Sequence, residues 1–141
     1  MDTNLTHLKQ EAKNRILLYE DDVEITFMCK LILEKNNYHV ETREKCADVI
    51  KDINRLKPDL ILMDLWIPEM GGEKAVKQVK ANSKTKLIPI LLFSANSDIK
   101  EICSRSKADG YISKPFDIKT LVEVIGSFFP PEKTIPKAVK S

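Results

Sequence analysis

Four short apolar runs each give way to residues whose types, taken together, suit phosphoryl chemistry. Glu20, Asp21 and Asp22 follow RILLY, Asp64 follows DLILM, Ser94 follows IPILLF, and Lys114 follows GYIS. Carboxylates gathered in one cleft repel one another and lose hydration, so a cation must offset them. A hard divalent ion suits that need, and Mg²⁺ takes one or two carboxylates together with water and phosphate oxygens. A carboxylate beside Mg²⁺ and a lysine can attack phosphorus and form an acyl phosphate. The ion and Lys114 would neutralise charge on the equatorial oxygens, and Ser94 would donate a hydrogen bond to a third. Singly, these acids have plainer uses, since Asp21 or Asp22 could cap a helix. It is the set that points to chemistry.

The elements that must position the set alternate along the chain. Arg15–Glu20 reads as a buried strand, and from Asp22 the spacing of Val23, Phe27 and Leu31, with Met28 and Ile32 beside them, predicts a helix ending at Asn36–Asn37. Tyr38–Thr42 reads as a strand near a sheet edge. Lys45–Leu56 reads as a helix with Ala47, Ile50 and Ile53 on one side, broken by Pro58. Asp59–Met63 is continuously apolar, as a strand buried on both faces should be. After a loop marked by Pro68, Gly71 and Gly72 come a helix over Glu73–Ala81, a strand over Ile88–Phe93, a helix over Asp98–Ser106, a strand over Gly110–Ser113 and a helix over Asp117–Phe129. Such alternation implies a parallel sheet covered on both faces. In that class, sites form beyond the carboxyl ends of the strands, where the chemically capable residues stand. The row Lys74, Lys77 and Lys80 reads as a solvated helix face.

With 141 residues and 43% hydrophobic content, the chain suits one globular domain, expected over 15–129, with a polar extension over 1–14 and a tail over 130–141. Lys plus Arg number 23 against 21 Asp plus Glu, a net charge of +2 that gives no reason to expect nucleic acid or an acidic membrane as partner. Cys29, Cys46 and Cys103 are scattered and odd in number, which favours a reducing compartment and buried thiols over disulfides. His7 and His39 stand near no second zinc ligand. The polar start lacks a signal-peptide core and no run reaches membrane length, so a cytoplasmic location is expected.

These motifs resemble the receiver domain of bacterial two-component response regulators, over roughly Arg15 to Phe129. PDLILMDLWIPEMGG is similar to the family's phosphoacceptor strand and loop, with Asp64 as acceptor; LLYEDD places Glu20 and Asp21 at its acidic pair. ILLFSA places Ser94 at the switch hydroxyl, and DGYISKPF places Tyr111 at the switch aromatic and Lys114 at the lysine. The resemblance implies a flavodoxin-like α/β fold, a five-stranded parallel sheet of order 2-1-3-4-5 with five helices. It implies Mg²⁺ held by Glu20, Asp21, Asp64 and the backbone carbonyl of Trp66. It also implies a phosphohistidine donor, on a sensor histidine kinase or a histidine phosphotransfer protein, and a cis bond before Pro115.

Glu20 stands where Asp is more usual, Ser94 where Thr is, and Trp66 is bulky two residues past the acceptor. None removes a needed group. Trp66 covering the water approach, and Asn96 as a weak polar contact, would tune the lifetime of the phosphoryl group. Output is expected on the surface of the fourth helix, fifth strand and fifth helix, toward a second copy or another target, as Ser94 and Tyr111 exchange positions. A chain that begins at Met with a long polar lead suits a stand-alone regulator, though a piece of a larger protein stays open. Such a domain is a switch that catalyses only its own phosphorylation and dephosphorylation. Two other readings compete. An aspartate-nucleophile phosphatase would need an acid where Trp66 stands. A phosphorylation-independent interaction module of the same fold would have lost acceptor, acids or lysine, all of which are present.

Overall fold

The computed structural model describes residues 14–130. The expected extension and tail, His7 included, otherwise lie outside the described residues. Five strands, β1 (Arg15–Tyr19), β2 (His39–Arg43), β3 (Leu60–Asp64), β4 (Ile90–Ser94) and β5 (Gly110–Ser113), form one parallel sheet of order β2-β1-β3-β4-β5. The connecting helices are α1 (Val23–Lys35), α2 (Val49–Leu56), α3 (Gly72–Ala81), α4 (Ile99–Ser106) and, after β5, α5 (Ile118–Gly126). This is the flavodoxin-like order and element count that the resemblance implies.

Strand alternation divides the core in two. Ile16, Leu18, Leu60, Leu62, Leu91, Phe93 and Ile112 pack with residues of α1 and α5. Leu17, Tyr19, Ile61, Met63, Ile90 and Leu92 pack with residues of α2, α3 and α4. β1, β3 and β4 are therefore apolar on both faces, as a covered parallel sheet requires. Cys29, Cys46 and Cys103 are free and buried.

Several element ends differ from the sequence reading. The second helix starts at Val49 rather than Lys45, because the Asp48 side chain accepts from the Lys51 N–H at 3.1 Å and caps it. Ala47 consequently lies outside the helix and exposed. Cys46 instead forms a parallel bridge with Glu69, which ties the segment after β2 to the loop after β3. β4 begins at Ile90 rather than Ile88: the Ile88 carbonyl accepts from Lys80 Nζ at 3.0 Å, outside the ladder. The last helix ends at Gly126 and not Phe129, with Ser127–Phe129 forming a closing turn.

The largest difference concerns α1. Its helical spacing is real, but Val23, Phe27 and Leu31 are 80%, 69% and 47% exposed, and Met28 is exposed as well. Cys29, Ile32 and Leu33 make the inward contact. α1 is thus apolar on both its buried and its open side, which is why the spacing of its apolar residues does not tell which side is which.

The loop from β3 to α3 is fixed by close approach. Gly72 N–H donates to the Leu65 carbonyl at 2.8 Å. A Cβ on Gly72 would lie 2.6 Å from the Asp64 carbonyl oxygen and 2.8 Å from Leu65 Cα. Gly71 has open space around it but φ of +81°, which only glycine adopts freely. Gly72→Ala should therefore destabilise the fold by about 1–3 kcal/mol, as overpacking against backbone does. Urea unfolding measures this, and a loss below about 0.5 kcal/mol, the range of an ordinary surface change, would contradict the close approach.

Candidate functional site

Side-chain alternation carries the inner faces of the strands past their ends. Glu20, Asp64 and Lys114 continue the rows of Leu18, Leu62 and Ile112, which face α1 and α5. Ser94 continues the row of Leu92, which faces α4, and Tyr111 pairs with Leu92 across the β4–β5 ladder. The acids and the lysine therefore meet on one side of the sheet edge, while Ser94 and Tyr111 share the other.

The chain after each strand is held to its neighbour. Glu20 N–H donates to the Arg43 carbonyl, Leu65 N–H to Phe93, and Lys114 N–H to Ser94, at 3.0, 3.1 and 2.9 Å. The Lys114–Pro115 bond is cis. Lys114 Nζ donates to Glu20 Oε1 at 2.7 Å and to Asp64 Oδ1 at 3.3 Å, and lies 4.5 Å from the centre of the Phe93 ring. The other oxygen of Glu20 accepts from Asp22 N–H at 3.0 Å, and Thr26 Oγ1 donates to the Glu20 carbonyl. Asp22, not Asp21, caps α1, accepting from the N–H groups of Glu24 and Ile25. That leaves the exposed Asp21 side chain for the cleft.

Glu20, Asp21 and Asp64 each offer a carboxylate oxygen, and these atoms lie within 4.8 Å of one another. Glu20 and Asp64 are buried and Asp21 is open to solvent. Burial, then the neighbouring charge of Glu20, pushes the Asp64 carboxyl above its ordinary range, and Lys114 opposes this. Burial works to lower the Lys114 ammonium, but the Glu20 hydrogen bond and the charge of Asp64 outweigh it and hold the group above its usual value. An all-oxygen donor set with one side open fits a hard divalent cation.

Ser94 is buried, and its Oγ accepts from Asn96 N–H at 3.0 Å. Asn96 Oδ1 accepts in turn from Asp98 N–H at 2.6 Å, so this side chain braces the turn into α4. Tyr111 is half turned to solvent. The Trp66 ring is exposed and borders a groove of about 490 Å³ shared with Leu65, Met70, Glu73, Ile102 and Arg105. Three further contributors build the site without standing out in the sequence: Phe93 beneath Lys114, Thr26 against Glu20, and Gly72 against Asp64. Only Gly72, within a Gly-Gly pair, carries a local signal, and that signal marks a loop.

The family model for the response regulator receiver domain matches residues 16–126. The phosphate regulon transcriptional regulatory protein PhoB of Escherichia coli K12 is 34% identical over 110 residues, 77% of this chain and 48% of that protein. The DNA-binding dual master transcriptional regulator RpaA of a Synechocystis strain is 30% identical over 131 residues, 89% of this chain and 53% of its own. The chain thus spans about half the length of these curated relatives. The expectation of no nucleic-acid partner finds no support in relatives so named.

Among solved structures, a putative response regulator from Chloroflexus aurantiacus superposes with a TM-score of 0.77 at 26% identity, covering 82% of this chain and 97% of that one. The receiver domain of a sensor histidine kinase from Pseudomonas aeruginosa PAO1, solved with a magnesium ion in its active-site cleft, gives 0.75 at 26% identity, covering 83% and 98%. Among the described residues no helix is long and apolar enough to cross a membrane. The matched stretch runs from β1 to the end of α5, and on that ground the chain belongs to the response regulator receiver domain family, whose members are signalling switches rather than classical enzymes.

Proposed function

We propose that this domain accepts a phosphoryl group on Asp64 from a phosphohistidine donor, with Mg²⁺ held by Asp21, Asp64 and the Trp66 carbonyl, and by Glu20 directly or through water. The charge balance of the cleft carries this reading. Three carboxylates gather around one site while a single ammonium meets two of them, so the ionised cluster is short of positive charge by the amount one divalent cation supplies. Mg²⁺, when bound, supplies that charge and orients the phosphoryl oxygens. Asp64 contributes the nucleophilic oxygen: its bond to phosphorus forms as the donor's P–N bond breaks and the electron pair leaves on the imidazole. Lys114, already 3.3 Å from Asp64, stabilises charge on a phosphoryl oxygen. Ser94 rotates from Asn96 N–H toward the new group, and Tyr111, on the same face, turns inward. That repacks the surface of α4, β5 and α5, toward a second copy or another target. Exposed Trp66 and the braced Asn96 are the proposed modifiers of phosphoryl lifetime. A cytoplasmic location suits three free, buried cysteines.

The donor also needs a face to rest on, and the open side of α1 offers one beside the cleft. Val23 and Phe27 border a groove shared with Glu20 and Asp21; Ile25 and Met28 border another shared with Lys114, Pro115 and Phe116. A helix of the donor covering this stripe would bring its histidine to Asp64, as helix-in-groove docking does.

Incubation with acetyl phosphate and Mg²⁺ should add one labile phosphoryl group by intact mass. Asp64→Ala should add none, and retention of the label would refute the assignment. Mg²⁺ should change Trp66 fluorescence, and Asp21→Asn should weaken the titration at least about tenfold, the scale of a lost ligand-shell group; an unchanged titration would remove Asp21 from the site. Phe27→Asp should slow transfer from a protein donor at least about tenfold, the scale of one buried aromatic anchor, while leaving acetyl phosphate uptake intact. Equal slowing with both donors would show that the substitution harms the site rather than docking.

A further inference from the structure

The start of α4 lacks a capping side-chain hydrogen bond. Asp22, Asp48 and Asp117 cap α1, α2 and α5 in that way, whereas Gly71 before α3 has no side chain to offer and Asp98 makes no such bond at α4. Its first turn hangs instead on a relay. Ser94 Oγ accepts from Asn96 N–H, Asn96 Oδ1 accepts from Asp98 N–H, and the Asn96 carbonyl accepts from Ile99 N–H. The relay therefore begins at the hydroxyl that would have to turn toward a phosphoryl group.

The other end of α4 is held by charge. Arg105, in its last turn, donates from Nε to Glu73 Oε2 at 2.7 Å and from Nη2 to Oε1 at 3.0 Å, a fork-to-fork pair. Among the described residues this is the one ion pair α4 makes. Lys77 Nζ, one helical turn along α3, lies 3.4 Å from the same carboxylate. Arg105 also feels Glu101 and Asp98 on its own side. Its hydrogen bonds pull the Glu73 carboxyl down to about 2, so the pair stays charged in ordinary buffers. The backbone that carries Glu73 is held in place, because it follows Gly72, whose N–H is bonded to Leu65 and whose Cα leaves no room above the Asp64 carbonyl.

We propose that the Glu73–Arg105 pair is a latch that holds the end of α4 to the first turn of α3, where the acceptor loop ends, and so opposes the switch. The proposal rests on the reading of Asp64 and Ser94 given above. Turning Ser94 frees the start of α4, and the latch still restrains its end. The strength of the pair therefore sets how readily the site converts to its phosphorylated arrangement, by biasing two positions of one helix. Loosening it should favour the converted arrangement and speed acceptance from a donor too small to touch α4.

The test compares the full chain with Arg105→Gln, Glu73→Gln and the double variant. The rate of phosphoryl gain from acetyl phosphate and Mg²⁺ is followed by intact mass, beside amide hydrogen exchange of α4 and the urea midpoint. Each single variant should react about two- to five-fold faster, the scale of one exposed forked pair. The double should be no faster than the faster single, because both remove the same forked pair and Glu73→Gln alone already releases Lys77 as well. α4 amides should exchange faster while the urea midpoint hardly moves, and about 1 M salt should bring the wild type toward the variants. Single variants reacting at the wild-type rate, or effects that multiply in the double, would overturn the latch. A wild type that takes up no phosphoryl group would instead remove the reading of Asp64, and the latch with it.

Discussion

The ammonium of Lys114 between Glu20 and Asp64 is the contact on which the arrangement depends. Both carboxylates are nearly shut from water, at 3% and 5% exposure, and each would be costly there without a counter-charge. Lys114 meets Glu20 more closely than Asp64, because the longer Glu20 side chain reaches over to it. The Phe93 ring lies beneath the ammonium and adds a weaker attraction. The three residues come from the ends of β1, β3 and β5, so the parallel order of the sheet is what makes them meet.

The same sheet edge offers a route by which the proposed charge change at Asp64 would reach a surface. Alternation puts the acids and Lys114 toward α1 and α5, and Ser94 and Tyr111 toward α4. In the proposed reaction a group built on Asp64 would be met by Lys114, already 3.3 Å from that carboxylate, from one side and by Ser94 from the other. β4 is buried on both faces and cannot yield, whereas the turn after it is held by a few polar contacts. Movement should therefore concentrate in that turn and in α4, where packing against the sheet is supplied by only Ile99, Ile102 and Cys103.

How far the sequence could be read depended on whether a signal was local. Continuous apolar runs marked β1, β3 and β4 because burial on both faces leaves no polar position. The residue after each run was legible as a site because strand ends of a parallel sheet gather at one edge. The start of α2 differs from the sequence reading because Ala47 fits helical spacing, while the Cys46–Glu69 bridge, which depends on a loop distant in sequence, holds the chain out of the helix until the Asp48 cap. The open side of α1 was illegible for another reason: Val23, Phe27 and Leu31 have the spacing of a core stripe, and only the sheet's position decides that Cys29, Ile32 and Leu33 turn inward instead. The Glu73–Arg105 pair joins residues 32 apart on two helices and leaves no mark in composition or periodicity.

If Asp64 takes the phosphoryl group with a divalent ion beside it, a crystal structure grown with Mg²⁺ and beryllium fluoride, which stands in for the phosphoryl group, should show both. The beryllium is expected on an Asp64 oxygen, Mg²⁺ touching Asp21, Asp64 and the Trp66 carbonyl, Lys114 on one fluorine and the Ser94 hydroxyl on another. An unmodified Asp64 under saturating conditions, or beryllium on Glu20 or Asp21 instead, would contradict it.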